Sequence, residues 1–231
     1  KRFIRAGVLS TNNIAVSASG EKYDLRFSVG QTYQQGIIPN TDLNTTNFNL
    51  TSTLRFSKKL TLDANINFNK QYTDNIPDVN YGPNSVIYNM TIWGGADWNV
   101  DDMRNYWQPG KEGVQSIYAE YQRYHNPYFM SYEWLRGHHK NDIYGYATLN
   151  YKANKYVELM ARTSVTTYDL TRTEKMPFSA HPYGREEGRG DYREDKRSLF
   201  ENNTEVMVRL KSPQVANFLN MSGFIGANLR T

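Results

Sequence analysis

The sequence predicts an all-β protein whose antiparallel strands form a segment of a transmembrane β-barrel, with short turns on one rim and long loops on the other. Three observations support this prediction. Apolar and polar residues alternate over strands of about ten residues, tight turns join these strands in pairs, and longer connections separate the pairs. The mean hydropathy is low, at -0.74. A membrane β-strand needs an apolar residue only at every second position, so this value is compatible with a membrane location.

Alternation predicts about eight strands arranged as hairpins. In the clearest strand, residues 23–30, every second residue is apolar, and the turn at 19–22 joins it to a strand near 14–18. The other predicted pairs are 47–56 with 60–69, 142–152 with 156–168, and 199–210 with 218–229. In the last pair the apolar face is ambiguous, because one set of apolar residues competes with another: Phe200, Val206, Val208 and Leu210 against Leu199 and Met207.

The two faces of these strands are predicted to meet different surroundings. The lipid-facing set is Tyr23, Leu25, Phe27, Leu50, Leu54, Leu62 and Ile66, and Asn49 and Asn65 are on the opposite face, toward a wet lumen. The charged residues predicted to line that lumen are Arg26, Arg55, Asp63 and Arg162. Pairing with one another across the lumen is their favoured role, and contact with a plug or a solute is the alternative.

The connections between the predicted strands differ in length in a regular way. Short turns at 20–22, 57–59, 153–155 and 211–217 alternate with longer excursions at 34–44, 70–141 and 170–197. Outer-membrane barrels are built in this manner, with short periplasmic turns and long extracellular loops. The excursions are therefore expected on the extracellular side. The segment 185–197, which carries five positive and five negative charges, is expected to be a solvated loop tip.

Composition excludes several classes of function. The chain of 231 residues has no cysteine, and its net charge of +4 is spread along its length, so no basic tract indicates nucleic-acid binding. No nucleophile is placed with a base and no glycine-rich phosphate loop follows a strand, so the chain is predicted not to be an enzyme and to need no cofactor.

No metal site is predicted either. Residues Asp97 to Asp102 resemble the start of a calcium loop, but Asp102 stands where glycine is required and Gln108 where a bidentate glutamate is required. The histidines lack the spacing of a zinc helix and are interpreted as surface residues: His125, His138, His139 and His181.

Several segments resemble the SusC/RagA-like family of TonB-dependent transporters. In that family a strand of the form N-x-S-x-S-G-G precedes one of the form Y-x-x-S-x-G-Y-x-x-Q-x-G-I-I. The similar segments occur here in the same order: Asn12 to Gly20, Tyr23 to Gly30, Tyr33 to Asn40, Asn47 to Lys70, Arg104 to Trp107, Gly110 to Gly113, Asn126 to Phe129 and Tyr144 to Tyr151. Ala18 departs from the pattern, since glycine is common there, and the segments 70–103 and 170–197 match nothing in particular.

The resemblance implies a 22-stranded barrel with an N-terminal plug, in the outer membrane of a Gram-negative bacterium of the Bacteroidota. It implies uptake of oligosaccharides or peptides that is energised through TonB and assisted by a SusD-like surface lipoprotein. Residues 1–231 are then expected to be part of the barrel domain, in contact with outer-membrane lipid. The signal peptide, the plug with its TonB-binding region and the remaining strands are expected to be absent from this chain.

Two alternatives stay open at this stage. Eight strands can close a small barrel by themselves, and a soluble or surface-attached carbohydrate-binding sandwich would also show alternating strands and aromatic loops. A sandwich buries its apolar faces against each other, so such a protein would stay in solution without detergent.

The longest excursion is also the most aromatic part of the chain. All four tryptophans and ten tyrosines or phenylalanines fall between residues 70 and 141. Aromatic side chains on an outer loop suit stacking on a sugar or packing against a peptide. The residues predicted to contact substrate or the lipoprotein are Trp93, Trp98, Tyr106 and Trp107. For any one of them the favoured alternative is that it packs in a small core of the loop itself.

Overall fold

The computed structural model describes residues 3–95, 97–116, 124–180, 189–212 and 219–231. The main strands are β1 (Val8–Gly20), β2 (Tyr23–Gln35), β3 (Asp42–Arg55), β4 (Leu60–Thr73), β7 (Leu135–Lys152), β8 (Val157–Phe178), β9 (Arg189–Lys211) and β10 (Ser222–Arg230). Between β4 and β7 lie α1 (Val86–Ile92), a 3₁₀ turn (Asp102–Arg104), β5 (Trp107–Gln108), β6 (Lys111–Gln115) and α2 (Pro127–Tyr132).

The eight main strands form one antiparallel sheet in the order β1-β2-β3-β4-β7-β8-β9-β10. Each strand pairs with the strand that precedes or follows it in this order, as in a meander. The predicted all-β class, the antiparallel pairing and the number of strands are confirmed. Within the described residues β1 and β10 each pair with one strand only and not with each other. The sheet is therefore open and does not form the small closed barrel that was the alternative.

The register of the sheet collects the apolar residues on one face. Directly opposed residues of an antiparallel pair point to the same side of the sheet. Phe27 opposes Leu50, Leu50 opposes Ile66, and Ile66 opposes Gly145. The same relation links Tyr23, Leu54 and Leu62 across three strands. The predicted separation of an apolar set from a polar set is thus present in the sheet, and its apolar face is exposed, with Leu50 at 43% and Ile66 at 51%.

The register also settles the ambiguous strand pair. Val206 opposes Ala161 and Val208 opposes Leu159, which puts both valines on the apolar face. Met207 opposes Met160 on the polar face, where Met160 is buried.

The predicted ends of the strands at the long-loop rim were wrong, because strand pairing continues beyond the part of the sheet in which one face is apolar. The connection between β2 and β3 is residues 36–41 and not 34–44, and the longest excursion is residues 74–134 and not 70–141. β8 extends to Phe178 and β9 begins at Arg189, so the expected loop 170–197 is mostly strand. Backbone hydrogen bonds hold these extensions regardless of side-chain polarity. In these extensions neither face is regularly apolar. The alternation of apolar and polar residues stops there, so it does not predict these parts of the strands.

The charged segment 185–197 was expected to be a loop tip. Residues 185–188 lie outside the described residues, but residues 189–197 form the first part of β9 and oppose residues 170–178 of β8. Their charges pair along the strand, as in the ion pair of Arg197 with Asp195 at 2.8 Å and that of Lys196 with Glu194 at 2.7 Å.

The alternation of short and long connections is confirmed for the described residues. Residues 21–22, 56–59 and 153–156 are short turns at one rim. The connections 36–41 and 74–134 begin and end at the opposite rim, where β8 also ends and β9 begins, since consecutive antiparallel strands end at alternate sides. Of the predicted turn 211–217, residues 213–218 lie outside the described residues. No helix in the described part of the chain is long and apolar enough to cross a membrane.

Gly145 occupies a point where β4 and β7 approach closely. A Cβ atom added there would lie 2.3 Å from the backbone oxygen of Asn65, and a backbone atom cannot move aside without distorting the sheet. We expect Gly145→Ala to lower the free energy of unfolding by about 1–3 kcal/mol, the usual cost of overpacking. A urea titration of the full-length protein in detergent measures this loss.

The matched control is Gly223→Ala in β10, where an added Cβ meets no atom within 4 Å. It should leave the urea midpoint nearly unchanged. Equal midpoints for the two variants would show that the close approach at Gly145 does not constrain the sheet.

Candidate functional site: the folded excursion and the polar face

The described residues of the excursion (74–95, 97–116 and 124–134) form a folded unit that packs on the long-loop rim of the sheet. Its two short helices begin with side-chain caps. Asn126 accepts hydrogen bonds from the backbone N–H groups of Tyr128 and Phe129, and Pro127 follows as the first helical residue. Ser85 caps α1 through the N–H of Tyr88 at 3.2 Å. Both arrangements satisfy backbone groups that a helix start leaves without partners.

A core of apolar side chains holds the excursion together. Phe129 and Trp134 are fully buried, and Met103 and Met130 are nearly so. The core extends beyond the excursion, because residues from other parts of the chain join it: Phe3, Ile38, Met176 and Ala180. The excursion therefore packs against the β2–β3 connection and the end of β8.

A buried polar network joins the excursion to the segment that follows β8. The Gln115 side chain donates to the backbone oxygen of Ser179 at 2.6 Å and lies 2.9 Å from Nδ1 of His125. The backbone N–H of Gln115 donates to Oγ of Ser179 at 2.9 Å. Asn126 Nδ2 in turn donates to the carbonyl of Met103 at 3.0 Å. Buried polar groups that are paired in this way fix one arrangement of the loop.

The interpretation of His125 as a surface residue was wrong. His125 is 3% exposed, and its ring lies between those of Trp134 and Phe129, at centroid distances of 5.4 and 6.3 Å. Burial is possible because the Gln115 amide meets the ring nitrogen. His138 and His139 are half-buried, and His181 lies outside the described residues.

The excursion is anchored to the polar face of the sheet by an aromatic and ionic cluster. Nε1 of Trp134 donates to Glu174 at 2.9 Å, and Nε of Arg136 donates to the same carboxylate oxygen at 3.1 Å. The Arg136 guanidinium also lies over the Trp134 ring, 4.5 Å from its centroid. The side chains of Arg136 and Glu174 are only 14% and 17% exposed. Their pairing therefore takes place in partial shelter from water, where charge-assisted hydrogen bonds are stronger.

Asn75 forms a second anchor. Its Nδ2 donates to the backbone oxygens of Asn40 and Ser131 at 2.8 and 3.0 Å. Its Oδ1 accepts from the backbone N–H of Arg136 at 3.2 Å. One side chain thus ties the excursion to the β2–β3 connection and to β7.

The four predicted aromatic contact residues fall into two groups. Trp98, Tyr106 and Trp107 are partly buried and pack against the core. Burial, together with a 2.8 Å hydrogen bond from its hydroxyl to Glu133, raises the pKa of Tyr106 to about 12. Trp93 is 43% exposed and stacks on Tyr124 at a centroid distance of 4.6 Å. The structure thus brings three of the residues into the loop core and leaves Trp93 at the surface.

The four charged residues predicted to line the lumen all lie on the polar face of the sheet. Arg55 forms an ion pair with Asp24. Asp63 accepts from Thr53 at 2.8 Å and from Asn150 at 3.2 Å. The Arg162 guanidinium lies 4.5 Å from the centroid of the Tyr146 ring, and Arg26 opposes Thr51 and Ser17. Beside them the amides of asparagines bond along the strands, with Asn65 donating to Thr51 at 2.8 Å.

The acidic segment 97–102 is held by partners within the protein. Asp101 forms an ion pair with Arg104 at 3.3 Å, and Asn99 accepts from the backbone N–H of Asp101 at 3.2 Å. In the described part of the chain, no group of three or more His, Asp or Glu side chains is arranged to hold a metal ion.

Sequence reasoning missed the residues that fix the excursion: Gln115, Asn126, Trp134, Arg136 and Glu174. The Asn126-Pro127 pair carried a usable signal, because asparagine before proline is a frequent helix start. Gln115 and Glu174 carried none, since Gln115 bonds to Ser179, 64 residues away, and the partners of Glu174 are 38 and 40 residues away.

The fold defines a structural class of protein. It is an antiparallel β-sheet with one apolar and one polar face, and its long connections lie at one rim. Solved structures of the RagAB peptide importer share this fold. The "closed-closed" state matches with a TM-score of 0.61 at 13% identity, over 96% of this chain and 29% of the importer chain. The "open-open" state gives 0.63 at 15% identity over 95% and 24%, and a structure titled as the RagAB peptide transporter gives 0.65 at 15% over 96% and 24%.

At this level of identity the likeness is one of fold. The chain spans between 24% and 29% of the length of the solved chains that it matches. The predicted resemblance to a SusC/RagA-like transporter is confirmed as a likeness of fold. The solved structures named above are those of a transporter. No protein-family model matches the sequence, and no curated protein sequence matches it.

Proposed function

We propose that the chain is part of the barrel wall of an outer-membrane importer that takes up peptides or oligosaccharides, is energised through TonB and works with a SusD-like surface lipoprotein. It has no catalytic role in this proposal. The observation that carries the proposal is the exposed apolar face of the sheet. Water-soluble proteins rarely expose contiguous apolar patches of more than a few hundred Å². Here the apolar face runs across all eight strands, from Ile14, 74% exposed, to Ile225, 70% exposed.

The alternative of a soluble carbohydrate-binding sandwich needs a second sheet to cover that face. The other sheet among the described residues is the two-stranded β5–β6 hairpin, which belongs to the excursion. The apolar face has no cover within the described chain. Lipid is the environment that suits such a face opposite a polar one, and we favour the membrane location for this reason.

The free edges of β1 and β10 support the further proposal that residues 1–231 belong to a larger barrel domain. Unpaired strand edges invite aggregation, and closed barrels avoid it by pairing every strand. β1 is 13 residues long and presents one such edge. Further strands, a plug and a TonB-binding segment would come from a longer protein, as the short coverage of the importer chains also suggests.

Among solute classes, the likeness to a peptide importer favours peptides over oligosaccharides. Of the four predicted contact residues, Trp93 is the one best placed to contact a peptide or the lipoprotein, because it keeps 43% of its surface exposed while it stacks on the buried Tyr124. For Trp98, Tyr106 and Trp107, packing within the excursion is the better supported role.

Extraction of the full-length protein from native membranes tests the proposal. We expect the protein to need detergent throughout, to copurify with a surface lipoprotein, and to have a mass well above the 26.8 kDa of this chain. Cells that make it should take up peptides only while TonB is present. A protein that stays monodisperse in buffer after the detergent is removed would contradict the membrane location and favour the soluble module.

A further inference from the structure

A charged cleft lies on the polar face of the sheet near the long-loop rim. Strands β7, β8 and β9 form one side of it and residues 76–80 form the other. The cleft has a volume of about 420 Å³. Four arginines line it: Arg136, Arg172, Arg193 and Arg197. The acidic residues in its lining are Asp78, Glu174 and Asp195. Arginines outnumber acidic groups, so the cleft has a positive excess.

Two of the arginines are neutralised by neighbours. Arg136 pairs with Glu174 at 3.1 Å and Arg197 with Asp195 at 2.8 Å. Arg172 and Arg193 are exposed, and neither forms an ion pair or hydrogen bond with any residue in the described ranges. Within the part of the chain that the structure describes, the donors of both guanidinium groups are therefore available to a ligand.

The register places these two arginines close together. Arg172 of β8 opposes Asp195, and Arg193 stands two residues before Asp195 on β9. Such diagonal neighbours share a face and have Cβ atoms roughly 7–8 Å apart, a span that two long arginine side chains can close on one group. A planar guanidinium matches the two oxygens of a carboxylate, which makes arginine the preferred residue for binding it.

The local electrostatics agree with this geometry. The hydrogen bond from Arg197 lowers the pKa of Asp195, and the charges of Arg193 and Arg172 lower it further. Burial lowers the pKa of His138, and the charge of Arg172 adds to that effect. The charged form of His138 is thus disfavoured, and arginine supplies the positive charge of the cleft.

We propose that this cleft binds the carboxylate groups of solute peptides through Arg172 and Arg193. The inference rests on the proposed import of peptides and adds a preference to it. Lys175 on the same strand opposes Tyr192 and points to the opposite face, so its charge does not add to that of the cleft. Asp78, which also lines the cleft, would disfavour a second negative charge and favour a single carboxylate for each site.

The test uses the full-length protein with its native partner proteins and a tryptic digest of a purified carrier protein as the probe. Peptides that the complex retains are identified by mass spectrometry, before and after methyl esterification of all carboxylates in the digest. The variant is Arg172→Gln with Arg193→Gln. The control is Lys196→Gln, which removes a positive charge at the same level of β9 but from the apolar face, where Lys196 opposes Thr171. Unchanged heat-modifiable migration on gels shows that both proteins fold.

We expect esterification to reduce retention by the wild-type complex at least tenfold and to have little effect on the double variant, which should already retain few peptides. Lys196→Gln should behave as wild type. Retained peptides rich in Asp and Glu would identify the side-chain carboxylate as the ligand, whereas an average composition would identify the C-terminal carboxylate. Equal sensitivity to esterification in wild type and double variant would overturn the inference. A wild-type complex that retains no peptide of either digest would overturn peptide import itself.

Discussion

Replacing Trp134 by alanine is expected to release the excursion from the sheet while leaving the strands paired. The Trp134 side chain is fully buried, donates to Glu174 at 2.9 Å and underlies the Arg136 guanidinium. Truncation of a buried aromatic residue costs about 3–5 kcal/mol. Because each 1.4 kcal/mol is a factor of ten, the open population of the loop should rise a hundredfold or more. Hydrogen exchange at the backbone amides of α2 and the rate of limited proteolysis in the excursion measure this rise.

Trp93→Ala is the matched control, since it removes the same side chain from a site in the same excursion that is 43% exposed. Its effect on exchange in α2 should be tenfold or less. The strand amides of β7 and β8 should stay protected in both variants, because their ladder does not depend on the excursion. Loss of protection along the whole of β8 in Trp134→Ala would show that excursion and wall unfold as one unit.

The second large effect is expected at Ile66, in the middle of the apolar band, where it opposes Leu50 and Gly145. An arginine at a lipid-facing position near the bilayer midplane costs about 2–4 kcal/mol in a transmembrane barrel. Ile66→Arg should lower the free energy of unfolding in lipid vesicles by this amount, as measured by urea titration of the full-length protein.

Asn65→Arg is the control on the same strand, one residue away and on the polar face. It loses a hydrogen bond to Thr51 but leaves the charge in a wet environment, so its cost should be about 1 kcal/mol or less. Equal costs for the two variants would contradict the assignment of the apolar face to lipid.

Sequence pattern was enough to predict the band of the sheet in which the two faces differ. Between Tyr23 and Val29, or Leu60 and Phe68, every second residue is apolar, and a period of two has one structural explanation. The lower ends of the strands were also predictable, because turns such as residues 56–59 directly follow that band. The ends at the long-loop rim were not predictable, since β8 and β9 continue through a charged sequence in which neither face is regularly apolar.

The folded excursion was beyond the reach of pattern for a different reason. Its core depends on contacts between distant residues, such as Gln115 with Ser179 and Trp134 with Glu174. Single aromatic residues in a loop do not reveal whether they face inward or outward. The sequence located the aromatic concentration correctly, but only the packing distinguishes Trp107, partly buried on Phe129 at a centroid distance of 5.7 Å, from the exposed Trp93.

The unequal length of the strands gives this piece of wall a sloping top edge. Beyond Val29, the last aliphatic residue of the apolar face in β2, that strand continues for residues 30–35. Val165 is the last such residue in β8, which continues for residues 166–178. The difference of about seven residues corresponds to roughly 17 Å of height for strands tilted near 40°. Set in a bilayer, the mouth would be oblique, high at β8 and β9 and low at β2 and β3. A partner protein with a flat binding surface would contact the ends of β8 and β9 before those of β2 and β3. A lipoprotein that closes this opening therefore needs a stepped binding surface or a tilted orientation.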